Sequence, residues 1–132
     1  MFCIDHIGVA VTDLEAAVER WCRLLGVDRD AVEYRKVEHA RMTLAYLTGS
    51  GAKIELMAPW DEESTIAKFI AKRGAGIHHI CISTGDIEGK WDELAIAGFP
   101  AVDERPRDSL GEKIAFLHPK GLDGVLVEWK ES

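Results

Sequence analysis

Two stretches of this chain alternate apolar and small or polar residues in the same way. In Ile4-Asp5-His6-Ile7-Gly8-Val9-Ala10-Val11, His6, Gly8 and Ala10 share one side of an extended chain, and Ile7, Val9 and Val11 share the other. In Gly76-Ile77-His78-His79-Ile80-Cys81-Ile82-Ser83, His79, Cys81 and Ser83 share a side, with His78, Ile80 and Ile82 opposite. The β-branched content and the period of two predict strands. In each, the histidine is followed on its own side only by small residues. That side is expected to line a cavity, while the other is greasy enough to cover a helix.

Between these strands the period lengthens. Leu14, Ala17, Val18, Trp21, Leu24 and Leu25 follow helical spacing, with Thr12 or Asp13 as cap and Gly26 as stop. Strands are expected over residues 32–39, 42–47 and 52–58, the last two joined at Thr48-Gly49-Ser50-Gly51. Pro59 closes this βαβββ unit. A short connecting helix follows, opened by Asp61-Glu62-Glu63-Ser64, with Ile66, Phe69 and Ile70 on one face. The order then repeats: a strand over 76–83, a helix over 86–98 and a short strand over 101–104. A polar loop over 105–112 and strands over 114–118 and 125–130 complete it. Trp21 and Trp91 fall on the apolar helix faces and are expected in the core.

The repeat has a register. Sliding the chain by 73 residues carries His6 onto His79, Asp13-Leu14-Glu15 onto Asp86-Ile87-Glu88, and Glu55 onto Glu128. Each Glu follows its His by 49 residues and sits inside an apolar strand, where a carboxylate without a partner is costly. Two copies, each supplying a His and a Glu, predict a four-ligand metal site of His6, Glu55, His79 and Glu128. Two imidazoles and two carboxylates suit a borderline-to-hard divalent ion with room for substrate oxygens. Cys81 shares the His79 side but lies further along and is expected to be a small buried residue. His78 is expected to pack away from the site, and His39 to be exposed. The predicted class is α+β: two tandem βαβββ modules in a curved mixed sheet around a metal-binding cleft, helices outside. One domain is expected over 1–132, with module one about 1–58, a linker helix about 59–75 and module two about 76–132.

Composition narrows the function. The 132 residues carry a net charge of −7, which argues against nucleic acid or an anionic membrane as partner. No apolar run approaches membrane-spanning length, and no leader is expected ahead of the first strand, so the cytoplasm is the expected location. Cys3, Cys22 and Cys81 are odd in number and form no C-x-x-C, which points to reduced thiols.

With these motifs placed, the chain resembles the vicinal oxygen chelate (glyoxalase/bleomycin-resistance) superfamily and, within it, the methylmalonyl-CoA epimerases. The resemblance rests on Ile4–Val11, on Lys53-Ile54-Glu55-Leu56-Met57-Ala58-Pro59, and on Ser64-Thr65-Ile66-Ala67-Lys68-Phe69-Ile70 through His78-His79-Ile80. It rests also on Ile114-Ala115-Phe116-Leu117-His118-Pro119-Lys120 through Glu128. It implies one divalent metal, cobalt above zinc, nickel or manganese, on His6, Glu55, His79 and Glu128. The implied reaction interconverts the R and S forms of methylmalonyl-CoA through removal of the C2 proton and enolate stabilisation, with Glu128 as a catalytic base. A homodimer is also expected.

Some family members carry a Glu base on the strand before Glu55. Aligned back from Glu55, that position is Thr43, which matches Phe116 across the repeat, so both are expected to face the cavity. His118 could reach the cavity wall or order the Pro119 turn. Lys113, Lys120, Arg105 and Arg107 are candidates for the phosphates of an acyl-CoA substrate. Two other classes stay open: a glyoxalase-I-type isomerase or other metal-assisted enzyme of the same fold, and a metal-free small-molecule binding protein.

Overall fold

The computed structural model describes residues 1–132. The fold is α+β, with three α-helices and an eight-stranded mixed sheet. The strands are β1 (Cys3–Ala10), β2 (Glu33–Val37), β3 (Met42–Thr48), β4 (Lys53–Pro59), β5 (Gly76–Thr84), β6 (Arg107–Ser109), β7 (Glu112–Leu117) and β8 (Val127–Glu131). The helices are α1 (Leu14–Leu25), α2 (Thr65–Arg73) and α3 (Ile87–Ile96). The sheet order is β2-β3-β4-β1-β5-β8-β7-β6. β5 and β8 run parallel, whereas β3–β4 and β7–β8 are antiparallel. No helix is long and apolar enough to cross a membrane.

By contact density the chain divides into two compact units, Ile7–His78 and the remainder, Met1–His6 with His79–Ser132. In Ile7–His78, α1 starts where Asp13 accepts a hydrogen bond from the Ala16 N–H at 3.1 Å, and ends at Gly26 with φ of 69°. Its buried Ala17, Val18 and Cys22 pack on Val9, Val11, Ala45, Leu47, Leu56 and Ala58. The other face of the same strands carries Ala10, Leu44 and Met57, packed with Ile66 of α2. Ser64 caps α2, its Oγ accepting from the Ile66 N–H at 3.2 Å while its hydroxyl donates to the Ala40 carbonyl at 2.9 Å.

The other unit repeats this logic. Asp86 caps α3 by accepting from the Gly89 N–H at 3.0 Å, the counterpart of Asp13 and Ala16. Ile87 and Trp91 of α3 pack on Ala115, Leu117 and Trp129. The Trp91 indole N–H donates to the Asp103 carbonyl at 3.1 Å.

The short strand expected over 101–104 is displaced. Ala101 makes only an isolated bridge with Leu117, and the ordered strand, Arg107–Ser109, lies in what patterning read as loop. Val102 and Asp103 both send their N–H groups to the Phe116 carbonyl, and Asp103 accepts from the Phe116 N–H at 2.8 Å. The chain crosses β7 there. After Pro106 it turns alongside that strand, pairing Ser109 with Glu112 around Leu110 and Gly111, both at positive φ.

Ser64 is 1% exposed, so Ser64→Ala strands a carbonyl and removes a cap. Urea denaturation is expected to show a loss of about 1–3 kcal/mol with an unchanged slope. A loss below about 0.5 kcal/mol would contradict this role for the cap.

Candidate metal centre

The pairing of β5, β7 and β8 builds the centre. Cys81 is the register partner of Glu128 on β8, so the His79–Cys81 side of β5 is the Glu128 side of β8. Phe116 on β7 is also opposite Glu128. Ala115 and Trp129 point the other way, into α3. The apolar residues that anchor each strand to its helix therefore force the alternating polar residues onto the opposite face.

There His6 Nε2 and His79 Nε2 stand 3.0 Å apart. Glu128 Oε1 lies 3.2 Å from the first and 3.1 Å from the second. All three residues are buried, at 6%, 3% and 7% exposure, so these are contacts made out of water. The two imidazole rings meet edge to face at 5.1 Å, and Phe116 packs its ring 5.9 Å from that of His79. Burial pushes the Glu128 carboxyl up, but the two neighbouring histidines outweigh it and hold it down at about 2. Glu128 is therefore ionised at neutral pH.

Glu55 is buried on β4, opposite Tyr46 of β3. Glu55 belongs to the Ile7–His78 unit, whereas His6, His79 and Glu128 lie together in the other. The separations test the fit. Bonds of about 2.1 Å at right angles set neighbouring ligand atoms about 3.0 Å apart, and tetrahedral angles set them about 3.4 Å apart. The three spacings among His6, His79 and Glu128, 3.0 to 3.2 Å, lie within that span. Imidazole and carboxylate donors suit a borderline divalent cation, and these residues fit one.

Asp5, His6 and Cys81 make a second close group of potential ligands. Burial, then the charges of Glu128 and Asp5, push the Cys81 thiol up, so it stays protonated. Asp5 Oδ2 is bonded to His6 Nδ1 at 2.7 Å, and the Lys130 ammonium stands 3.4 Å from Asp5 Oδ1. Patterning along the strand did not single out Asp5, because sequence neighbours on a strand start out on opposite faces.

The remaining sequence candidates separate. Thr43 is opposite Ala58, not Glu55, and so lies on the face that packs on α1; its hydroxyl accepts from the Trp60 indole N–H at 2.9 Å. The expectation that Thr43 and Phe116 face the same way is corrected. Glu55 follows its partner Tyr46 by nine residues, but Glu128 follows Phe116 by twelve. The second hairpin holds three extra residues, in the turn that includes Pro119–Gly121, so Phe116 matches Tyr46 instead. On β3 the residues sharing the face of Glu55 are Met42, Leu44, Tyr46 and Thr48, none of them a carboxylate.

His118 is exposed and orders the turn, its Nδ1 accepting from the Lys120 N–H at 3.0 Å. Three of the four candidate phosphate contacts already have acidic partners. Arg105 bonds Asp92 and Glu88, Lys113 sits by Glu88, and Arg107 bonds Asp103. His78 packs its ring 4.8 Å from Phe69.

Residues 5–116 match the Glyoxalase/Bleomycin resistance protein/Dioxygenase superfamily, and the chain belongs to it. Its relatives there include the ethylmalonyl-CoA/methylmalonyl-CoA epimerase of Cereibacter sphaeroides, 37% identical over 97% of this chain and 96% of that one. The methylmalonyl-CoA epimerase of Mycobacterium tuberculosis superposes with a TM-score of 0.86 at 36% identity, covering 98% of this chain and 87% of that one. A variant of the Streptomyces coelicolor methylmalonyl-CoA epimerase, in complex with 2-nitronate-propionyl-CoA, superposes with a TM-score of 0.87 at 33% identity. That match covers 100% of this chain and 96% of the other.

His79→Ala is expected to weaken divalent-ion binding by at least about 100-fold, read by elemental analysis after dialysis and by chelator competition, with the fold retained. Stoichiometric metal in the His6→Ala, His79→Ala double variant would remove this group as the metal centre.

Proposed function

We propose that this chain is a metal-dependent epimerase interconverting (R)- and (S)-methylmalonyl-CoA. The observation that carries the reading is the buried set of His6, His79 and Glu128 in a chain similar, end to end, to methylmalonyl-CoA epimerases. His6, Glu55, His79 and Glu128 would hold one divalent ion, with cobalt first among the metals the resemblance implies. When bound, it would supply Lewis acidity toward the substrate's carbonyl oxygens.

The chain's own residues do the rest. Glu128, already ionised, accepts the C2 proton: the C–H bond breaks, an O–H bond forms on the carboxylate, and the electron pair passes into the thioester. Phe116, opposite Glu128, walls the site against water and keeps that carboxylate desolvated. Inversion needs a proton returned to the other face of C2. β3 offers no carboxylate on the Glu55 face, and Tyr46 is the one ionisable side chain there. The return therefore runs through a weaker acid or water, and inversion is slower than exchange.

Arg105, Arg107 and Lys113, with exposed ion pairs worth little each, would trade partners for the phosphates of coenzyme A, and Lys120 would join them. The same reading takes residues 1–132 as one functional domain, active as a homodimer in the cytoplasm.

The test is to incubate metal-loaded protein with one epimer in heavy water, following deuterium at C2 and configuration together. Exchange outpacing inversion, both abolished in Glu128→Gln, is expected. Neither exchange nor inversion in metal-loaded protein would remove the epimerase reading and favour another reaction of the same fold, such as a glyoxalase-type isomerisation.

A further inference from the structure

His6 has two ring nitrogens, and they face different surroundings. Nε2 points to His79 and Glu128, while Nδ1 lies 2.7 Å from Asp5 Oδ2. An ionised carboxylate accepts hydrogen bonds and donates none, so the proton of this short contact belongs to Nδ1. In the neutral ring, Nε2 then carries the lone pair, aimed at the metal position. Asp5 is itself held. Lys130 Nζ lies 3.4 Å from its Oδ1 and 3.2 Å from Glu112 Oε1, and the Asp5 and Lys130 side chains are each 17% exposed.

The path from Glu112 through Lys130 and Asp5 to His6 thus runs inward from the surface and ends on the ring nitrogen remote from the centre. Lys130 also argues against a second cation among Asp5, His6 and Cys81, because an ammonium already occupies the side of Asp5 that a cation would need.

We infer that Asp5 is a positioning residue: by accepting the Nδ1 proton and clamping the ring, it commits His6 to presenting a bare Nε2 to the metal. The inference rests on the metal-dependent reading above and adds a residue to it. Carboxylate partners on the remote nitrogen of a ligating histidine typically change metal affinity by about 10- to 100-fold.

Two measurements test it. Ring-nitrogen NMR of the metal-free protein, above the pH at which imidazoles protonate, should show His6 with its proton on Nδ1, and Asp5→Ala should move the population toward Nε2. Chelator competition should show Asp5→Ala binding a divalent ion about 10- to 100-fold more weakly, while Cys81→Ala binds it as the unchanged protein does. His6 protonated on Nε2 in the unsubstituted protein overturns the inference without recourse to any variant. So does an Asp5→Ala affinity within about threefold of the original in a folded variant, a change well short of that range. A loss on Cys81→Ala as large as that on Asp5→Ala would place the ion on the Asp5–Cys81 side and likewise overturn it. Should the unsubstituted protein bind no divalent ion at all, the metal reading fails, and the tautomer measurement still decides the role of Asp5.

Discussion

A carboxylate buried between two imidazoles is the constraint around which the centre is built. Glu128 sits in a strand whose neighbours, Val127 and Trp129, are committed to the apolar side, so it cannot turn away to water. A buried ionised carboxylate costs several kcal/mol unless it is matched. His6 and His79 match it through close contacts to one oxygen, and a divalent cation would match it more strongly. An arrangement that is expensive without a cation and comfortable with one is what a metal site requires of its protein.

The strands can impose this because their other faces are anchored. Asp13 and Asp86 cap equivalent helices, which fix where α1 and α3 begin. Val18 and Cys22 bury one side of the first unit's sheet, and Ile87 and Trp91 bury one side of the second's. A strand slipped by one residue would turn His79 into its helix and Ile80 into the centre, losing packing and stranding a polar ring together. The register that positions the ligands is thus enforced by residues that never touch them.

The repeat is kept where burial demands it and relaxed elsewhere. The spacing from His to Glu is held at 49 residues in both copies. The hairpins that carry the glutamates differ by three residues, which is why Tyr46, and not Thr43, stands where Phe116 does. Turn length on the exposed side costs little, so it drifts, whereas a shift at the ligands would bury the wrong side chains.

The sequence by itself determined the order of strands and helices, the start of α1 at Asp13 and the core faces of α1 and α3, and it named four candidate ligands, because each depends on local periodicity or on a repeat in register. Tertiary structure alone decided the rest. The pairing of β7 with β8 set the face of Phe116, and that of β3 with β4 turned Thr43 toward α1. Ion pairs between distant segments engaged Arg105 and Lys113 with Glu88. Asp5 gained its place through Lys130, a residue far along the chain on a strand of the same unit. These depend on which strand lies beside which and how long the connecting turn is, and period-two alternation carries neither quantity.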